Sequence, residues 1–234
     1  MLLASGSNVN VRDSKDSTPL HKAAQSGHRD VVTLLLKSSA DANAYNTNNT
    51  TPLDLASHYG RSDVTRLLAE HMGVGVMDPP VLTDIAHLHT EPQHFLPQVT
   101  QPSIGHREDT NGSDERTTLH SASEVGDIET VQALLDSGAD VNKQDAIHWT
   151  PVFYVLQGGM LAVAKLLIKH GAGVNSQDRT GQAPLHMASQ EEHLDIVRLL
   201  LNHGTDVNAK MQDHWTALHF ASKFGCFEIV KALC

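Results

Sequence analysis

A period of 33 residues constrains this chain more than any other feature. Thr18-Pro19-Leu20-His21 returns 33 residues later as Thr51-Pro52-Leu53-Asp54. Thr117-Thr118-Leu119-His120 leads, in steps of 33, to Thr150-Pro151, to Ala183-Pro184-Leu185-His186 and to Thr216-Ala217-Leu218-His219. Each phrase precedes a small-residue segment, then usually Gly, then a Val/Ile/Leu run such as the one starting at Asp30, Glu129 or Asp195. Several units close on a phrase like Gly138-Ala139-Asp140-Val141-Asn142. Self-similarity at such a period specifies stacked supersecondary units rather than one globular core.

The chemistry of one unit follows from its residues. Thr18 suits an N-cap, and Pro19 suits the first helical position, where no N–H is needed. His21 stands where a capping-box side chain reaches back to the cap. Ala23 and Ala24 allow close helix approach, Gly27 permits a tight turn, and Val31, Val32, Leu34 and Leu35 form the apolar face of a second helix. Gly138, Gly171 and Gly204 suit the left-handed position after that helix. No unit buries its apolar face alone, so stability comes from neighbouring units. The apolar run over 152–168 breaks at Gly158-Gly159 and reads as two short helices rather than a membrane span.

Period, Thr-Pro-Leu-His phrase, inter-helix Gly and closing phrase together resemble the ankyrin repeat. The resemblance covers 13 to about 73 and about 112 to 234. It implies an all-α solenoid of helix–turn–helix units with hairpin-like fingers. The organisation expected is a partial repeat tail at 1–12, two repeats over 13–73, a Pro- and His-containing linker or insertion over 74–111, and four repeats over 112–234, the last incomplete. A degenerate repeat is the alternative for 74–111, because Thr51 to Thr117 is two whole periods. Within it, 81–89 reads as a short amphipathic helix that covers Val64, Leu67 and Leu68. Four positions depart from the pattern: Ala183 replaces a capping Thr at a cost of roughly 1 kcal/mol, Asp54 and Phe153 replace the repeat His, and Glu192 replaces the inter-helix Gly. Phe227, Ile229, Val230 and Leu233 are expected near an open end, and the chain reads as a fragment of a larger one.

Composition restricts the function. A net charge of −10 and the lack of a basic run argue against nucleic acid or an anionic membrane as main partner. Two cysteines, Cys226 and Cys234, form no disulfide framework, and no secretory leader is read, so an intracellular, cytoplasmic or nuclear setting is expected. Of the sixteen histidines, His21, His120, His186 and His219 are the repeat His, and His28, His170, His193 and His203 also recur in register. His87, His89, His94 and His106 form the one irregular group; without a nearby Cys they are not read as a metal site. Cys226 starts a helix, where a thiolate is favoured, but reads as a small turn residue. No nucleophile–base set or nucleotide loop is present, so no catalytic residue, cofactor or metal is assigned.

The resemblance implies a concave surface, made by fingers and first helices, that binds other proteins. Positions just before the cap (Arg116, Trp149, Gln182 and Trp215), two residues earlier (Asp114, Ile147, Thr180 and Asp213) and at the first-helix end (Gln157, Gln190, Glu191, Lys223 and Phe224) vary between units while the frame does not. Tyr154, on a first helix, joins this candidate partner-binding set. Both tryptophans sit in the phrase His-Trp-Thr, at 148–150 and 214–216. Each His falls at a finger turn that favours positive φ. Each Trp is read either as packing over the next finger or as a partner anchor. The expected function is a non-catalytic interaction scaffold, monomeric or within a larger chain. The alternative is the targeting or regulatory arm of a larger enzyme or signalling protein.

Overall fold

The computed structural model describes residues 6–73 and 115–234. The readings for 74–111, including the helix over 81–89 and the irregular His group, lie outside them. Among the described residues are twelve α-helices in six pairs and no strand. The pairs are α1 (Pro19–Ser26) with α2 (Arg29–Lys37), α3 (Pro52–His58) with α4 (Ser62–His71), α5 (Thr118–Val125) with α6 (Ile128–Asp136), α7 (Pro151–Gln157) with α8 (Leu161–Lys169), α9 (Pro184–Gln190) with α10 (Leu194–Asn202), and α11 (Ala217–Phe224) with α12 (Phe227–Leu233).

The first helices begin as the sequence dictates. Thr18 Oγ1 accepts from the His21 N–H at 3.4 Å, and His21 Nδ1 accepts from the Thr18 N–H at 3.1 Å. Thr117 and Thr216 donate their backbone N–H to His120 and His219 in the same way, at 3.0 and 3.2 Å. In the second unit, Asp54 Oδ2 replaces the imidazole and accepts from both the Thr51 N–H and hydroxyl at 2.8 Å. Ala183 loses only the hydroxyl half of the box, since His186 Nδ1 still accepts from its N–H at 3.0 Å. Phe153 fills the His position with a fully buried ring, and the buried Thr150 hydroxyl is left without a partner.

Because Nδ1 accepts, Nε2 must carry the proton, and it donates to the neighbouring unit. His21 donates to the Thr50 carbonyl and His120 to the Trp149 carbonyl, both at 3.1 Å. His219 makes the same bond, 3.1 Å long, to the carbonyl of Ser17. Ser17 occupies in the first unit the place that Thr50 and Trp149 occupy in theirs. The first unit therefore stands next to the last.

The helix packing agrees. α1 packs on α11 as well as on α3, and α2 packs on α12 as well as on α4. The units stack in the order α5/α6, α7/α8, α9/α10, α11/α12, α1/α2, α3/α4. None of the substantial helix contacts joins the α3/α4 pair to the α5/α6 pair. This corrects the expected open end at the last unit. Ile229, Val230 and Leu233 are buried, while Phe227 is 38 % exposed. Residues 6–10 then take the place of the closing phrase after α12. The Ser7 N–H donates to Leu233 O at 3.2 Å, as the Ala139 N–H does to Leu134 O at 3.0 Å and the Ala172 N–H to Leu167 O at 3.0 Å.

Candidate partner-binding face

The fingers are built on a carboxylate that sequence reasoning missed. Five residues before the cap stand Asp13, Asp145 and Asp178, with Asn46 in the second unit. Asp145 Oδ1 accepts from the N–H groups of Ile147 and Trp149, each at 2.9 Å. Asp178 accepts from Thr180 and Gln182 at 2.8 and 2.9 Å, and Asp13 from Lys15 and Ser17 at 2.9 Å. A short acceptor that bonds its own backbone two and four residues on closes the turn from inside. The residue between those donors then takes a left-handed conformation: φ is 55° at Asp16, 66° at His148 and 79° at Gly181; His214 adopts 63° as well, although Met211 stands at the carboxylate register of its finger. The backbone reading of both His-Trp-Thr histidines matches this geometry. Recurrence of Asp at this register was the available signal for the carboxylates.

The second carboxylate oxygen ties each finger to its surroundings. Asp145 Oδ2 accepts from the Tyr154 hydroxyl at 2.6 Å. Burial, followed by this bond, raises the phenol above its ordinary value. Asp178 Oδ2 accepts from the Trp149 indole N–H of the preceding finger at 3.2 Å. Asp13 pairs with Lys22 at 2.7 Å, and its side chain is 1 % exposed. Burial pushes the Asp13 carboxyl upward, but Lys22 and the finger N–H groups outweigh it and hold the group below its usual range.

These ties decide what each candidate residue offers. Trp149, Tyr154 and Gln182 are 7 %, 8 % and 4 % exposed. The Trp149 ring stacks on Phe153 with centroids 5.8 Å apart and meets Tyr154 edge-on at 5.1 Å. Trp215 is half-buried, with Phe220 at its edge and Lys22 and Lys223 over its face, 4.7 and 5.3 Å from the centroid. Burial, followed by Lys22, lowers the Lys223 ammonium pKa. Asp213 is half-buried and accepts from the Trp215 N–H at 3.2 Å. Gln182 donates to Gln190 at 3.4 Å, Gln190 donates to Glu191 at 3.1 Å, and Gln157 is half-buried beside them in register. Arg116 pairs with Glu124 and lies 4.6 Å from the Tyr154 ring centroid. Ile147 at 48 %, Phe224 at 38 %, and exposed Thr180 and Arg116 are the candidates facing solvent. Asp114 lies outside the described residues.

One register was not foreseen in full. Eight residues after the cap stand Tyr59, Val125 and Phe224, which are 42 %, 77 % and 38 % exposed. Three units thus present an apolar side chain to solvent at the same place.

No acid–base site emerges from the repeat histidines. Burial lowers the pKa of His21, His120, His186 and His219, the last to about 4, and both ring nitrogens of each are engaged. Burial, followed by Glu192, pushes the Cys226 thiol up to about 12, the opposite of an activated thiolate. Among the described residues, no group of three His, Cys, Asp or Glu is placed to hold a metal ion, and no helix is long and apolar enough to cross a membrane.

A family model described as ankyrin repeats matches the chain in three copies, over residues 1–78, 119–211 and 153–234. No curated protein matches the chain.

Proposed function

We propose that this chain, which belongs to the ankyrin-repeat family, is a non-catalytic scaffold that binds protein partners through its fingers and first-helix ends. Ankyrin repeats generally mediate protein–protein interaction. The observation that carries the finer reading is the recurring exposed apolar position at Tyr59, Val125 and Phe224, with Ile147 on a finger. In the stack Val125, Phe224 and Tyr59 stand in the first, fourth and last units, with Gly158, Glu191 and Ser26 at the same register between them, so they are separate apolar points along one face. Asp145 closes the finger that carries Ile147, and a side chain held on such a rigid turn lowers the ordering cost of association.

The test separates surface from support. Phe224→Ala and Ile147→Ala together should keep the melting temperature and weaken capture of a purified partner first found by cross-linking in cells. Trp149→Ala should lower the melting temperature instead. Undiminished partner affinity in the folded Phe224/Ile147 double variant would refute the assignment of the face.

A further inference from the structure

The junction between α11/α12 and α1/α2 repeats the recurring bonds of the covalent junctions, yet no backbone passes through it. His219 reaches Ser17 as His120 reaches Trp149. His28 Nε2 donates to the Lys223 carbonyl at 2.9 Å, as Arg61 Nε does to the Gln25 carbonyl at 3.0 Å. The Ser14 N–H donates to Asp213 O at 2.9 Å, as the Thr47 N–H does to Lys15 O at 3.0 Å. Asn208 Nδ2 donates to Gly6 O at 3.3 Å and its Oδ1 accepts from the Asn8 N–H at 2.8 Å, the bonds Asn142 makes to Gly171 and Gly173.

Elsewhere in the stack the chain runs from one unit directly into the next. Here it leaves α4 at one end of the stack and re-enters at α5 at the other. At about 10 Å per packed unit, the ends of a six-unit stack are about 50 Å apart, and the chain between Gly73 and Glu115 must cover that span when one copy closes on itself. When α1–α4 of one copy dock on α5–α12 of another, every junction bond is retained and that span is no longer imposed. Exchange of an identical element between copies is a low-cost route to a dimer for this reason.

We propose that this junction is exchanged between two copies of the chain, so that α1–α4 of each complete the stack of the other in a reciprocal dimer. The partner surface is thus a second copy of the same sequence, and monomer and dimer share one interface.

Cys234 supplies the test, because the Ser38 side chain lies near its thiol across the junction. Ser38→Cys in a Cys226→Ser background places two thiols there in the full chain. Mild oxidation should give an internally linked monomer at low concentration and a linked dimer whose share rises with concentration. Peptide mapping should show the 38–234 bond in both. Copies carrying tags of different mass should yield mixed linked dimers after incubation together. A 38–234 bond found only within monomers at every concentration would overturn exchange. No 38–234 bond in protein that remains helical would overturn the junction itself. Adding Cys234→Ser should abolish both linked forms, and linked dimers that persist in that variant would arise from another pair of thiols and count against the proposal.

Discussion

Acidification should loosen the α11–α1 junction through His219. His219 is fully buried, its Nδ1 accepts from Thr216 and its Nε2 donates to Ser17. A second proton on this ring would remove the Nδ1 acceptor and leave a buried charge, so desolvation lowers its pKa from 6.5 to about 4. A group whose folded pKa is depressed in this way leaves stability intact above the unfolded value. That stability is lost as pH falls from 6.5 toward 4, because the unfolded chain binds the proton first. Between pH 7 and pH 5 the loss is about 2 kcal/mol from this residue. His21, His120 and His186 are shifted in the same direction and add to it. The assay is urea unfolding at pH 7, 6 and 5 for the native chain and for His219→Gln. Gln can accept from the cap N–H without titrating in this range. The native chain should lose about 2 kcal/mol more than the variant over that interval. Equal pH dependence in the two would refute a buried, neutral His219 at the junction.

Further outcomes follow from particular side chains. Trp149→Ala empties a site walled by Phe153 and Tyr154 and should cost about 3–5 kcal/mol in chemical denaturation, while Phe224→Ala should stay within about 0.5 kcal/mol. Asp145→Ala strands the N–H groups of Ile147 and Trp149 and the Tyr154 hydroxyl, and should cost about 3 kcal/mol or more. Asp145→Asn keeps an acceptor, as Asn46 does in its own finger, and should cost clearly less in the same measurement. Glu192→Gly relieves a non-glycine φ of 62°, worth about 1 kcal/mol in the folded state. It also removes a carboxylate that raises the Cys226 pKa, so that thiol should be alkylated faster at mildly alkaline pH.

The unit was legible in the sequence and the order of units was not. Thr18, Pro19 and His21 specify a helix start through local chemistry, and the structure contains that start. Asp16, His148 and His214 mark a finger turn because they tolerate positive φ, and they adopt it. The order of stacking is different in kind. Most junctions use the same His and the same Asn, as His21, His120 and His219 and Asn142, Asn175 and Asn208 do, so the pattern along the chain does not distinguish neighbours in sequence from neighbours in space. One signal was present: residues 6–10 read as a closing phrase, and the Leu run ending at Leu233 is the kind of run that precedes one. The candidate face was half legible. Variable positions were found by comparing units, but exposure could not be, because Trp149 and Gln182 vary as freely as Ile147 and are buried.

One distance tests the stacking order directly. Asp30 and Glu228 are exposed and occupy the same repeat position in α2 and α12. Spin labels on Asp30→Cys and Glu228→Cys, with Cys226 and Cys234 replaced by Ser, are measured by pulsed dipolar spectroscopy at a concentration where light scattering finds monomer. With α2 beside α12 the helix axes lie about 10 Å apart, and the label distance should be close to that spacing. A distance of about 50 Å or more, five packed units, would mean that the units follow chain order and would contradict this stacking order.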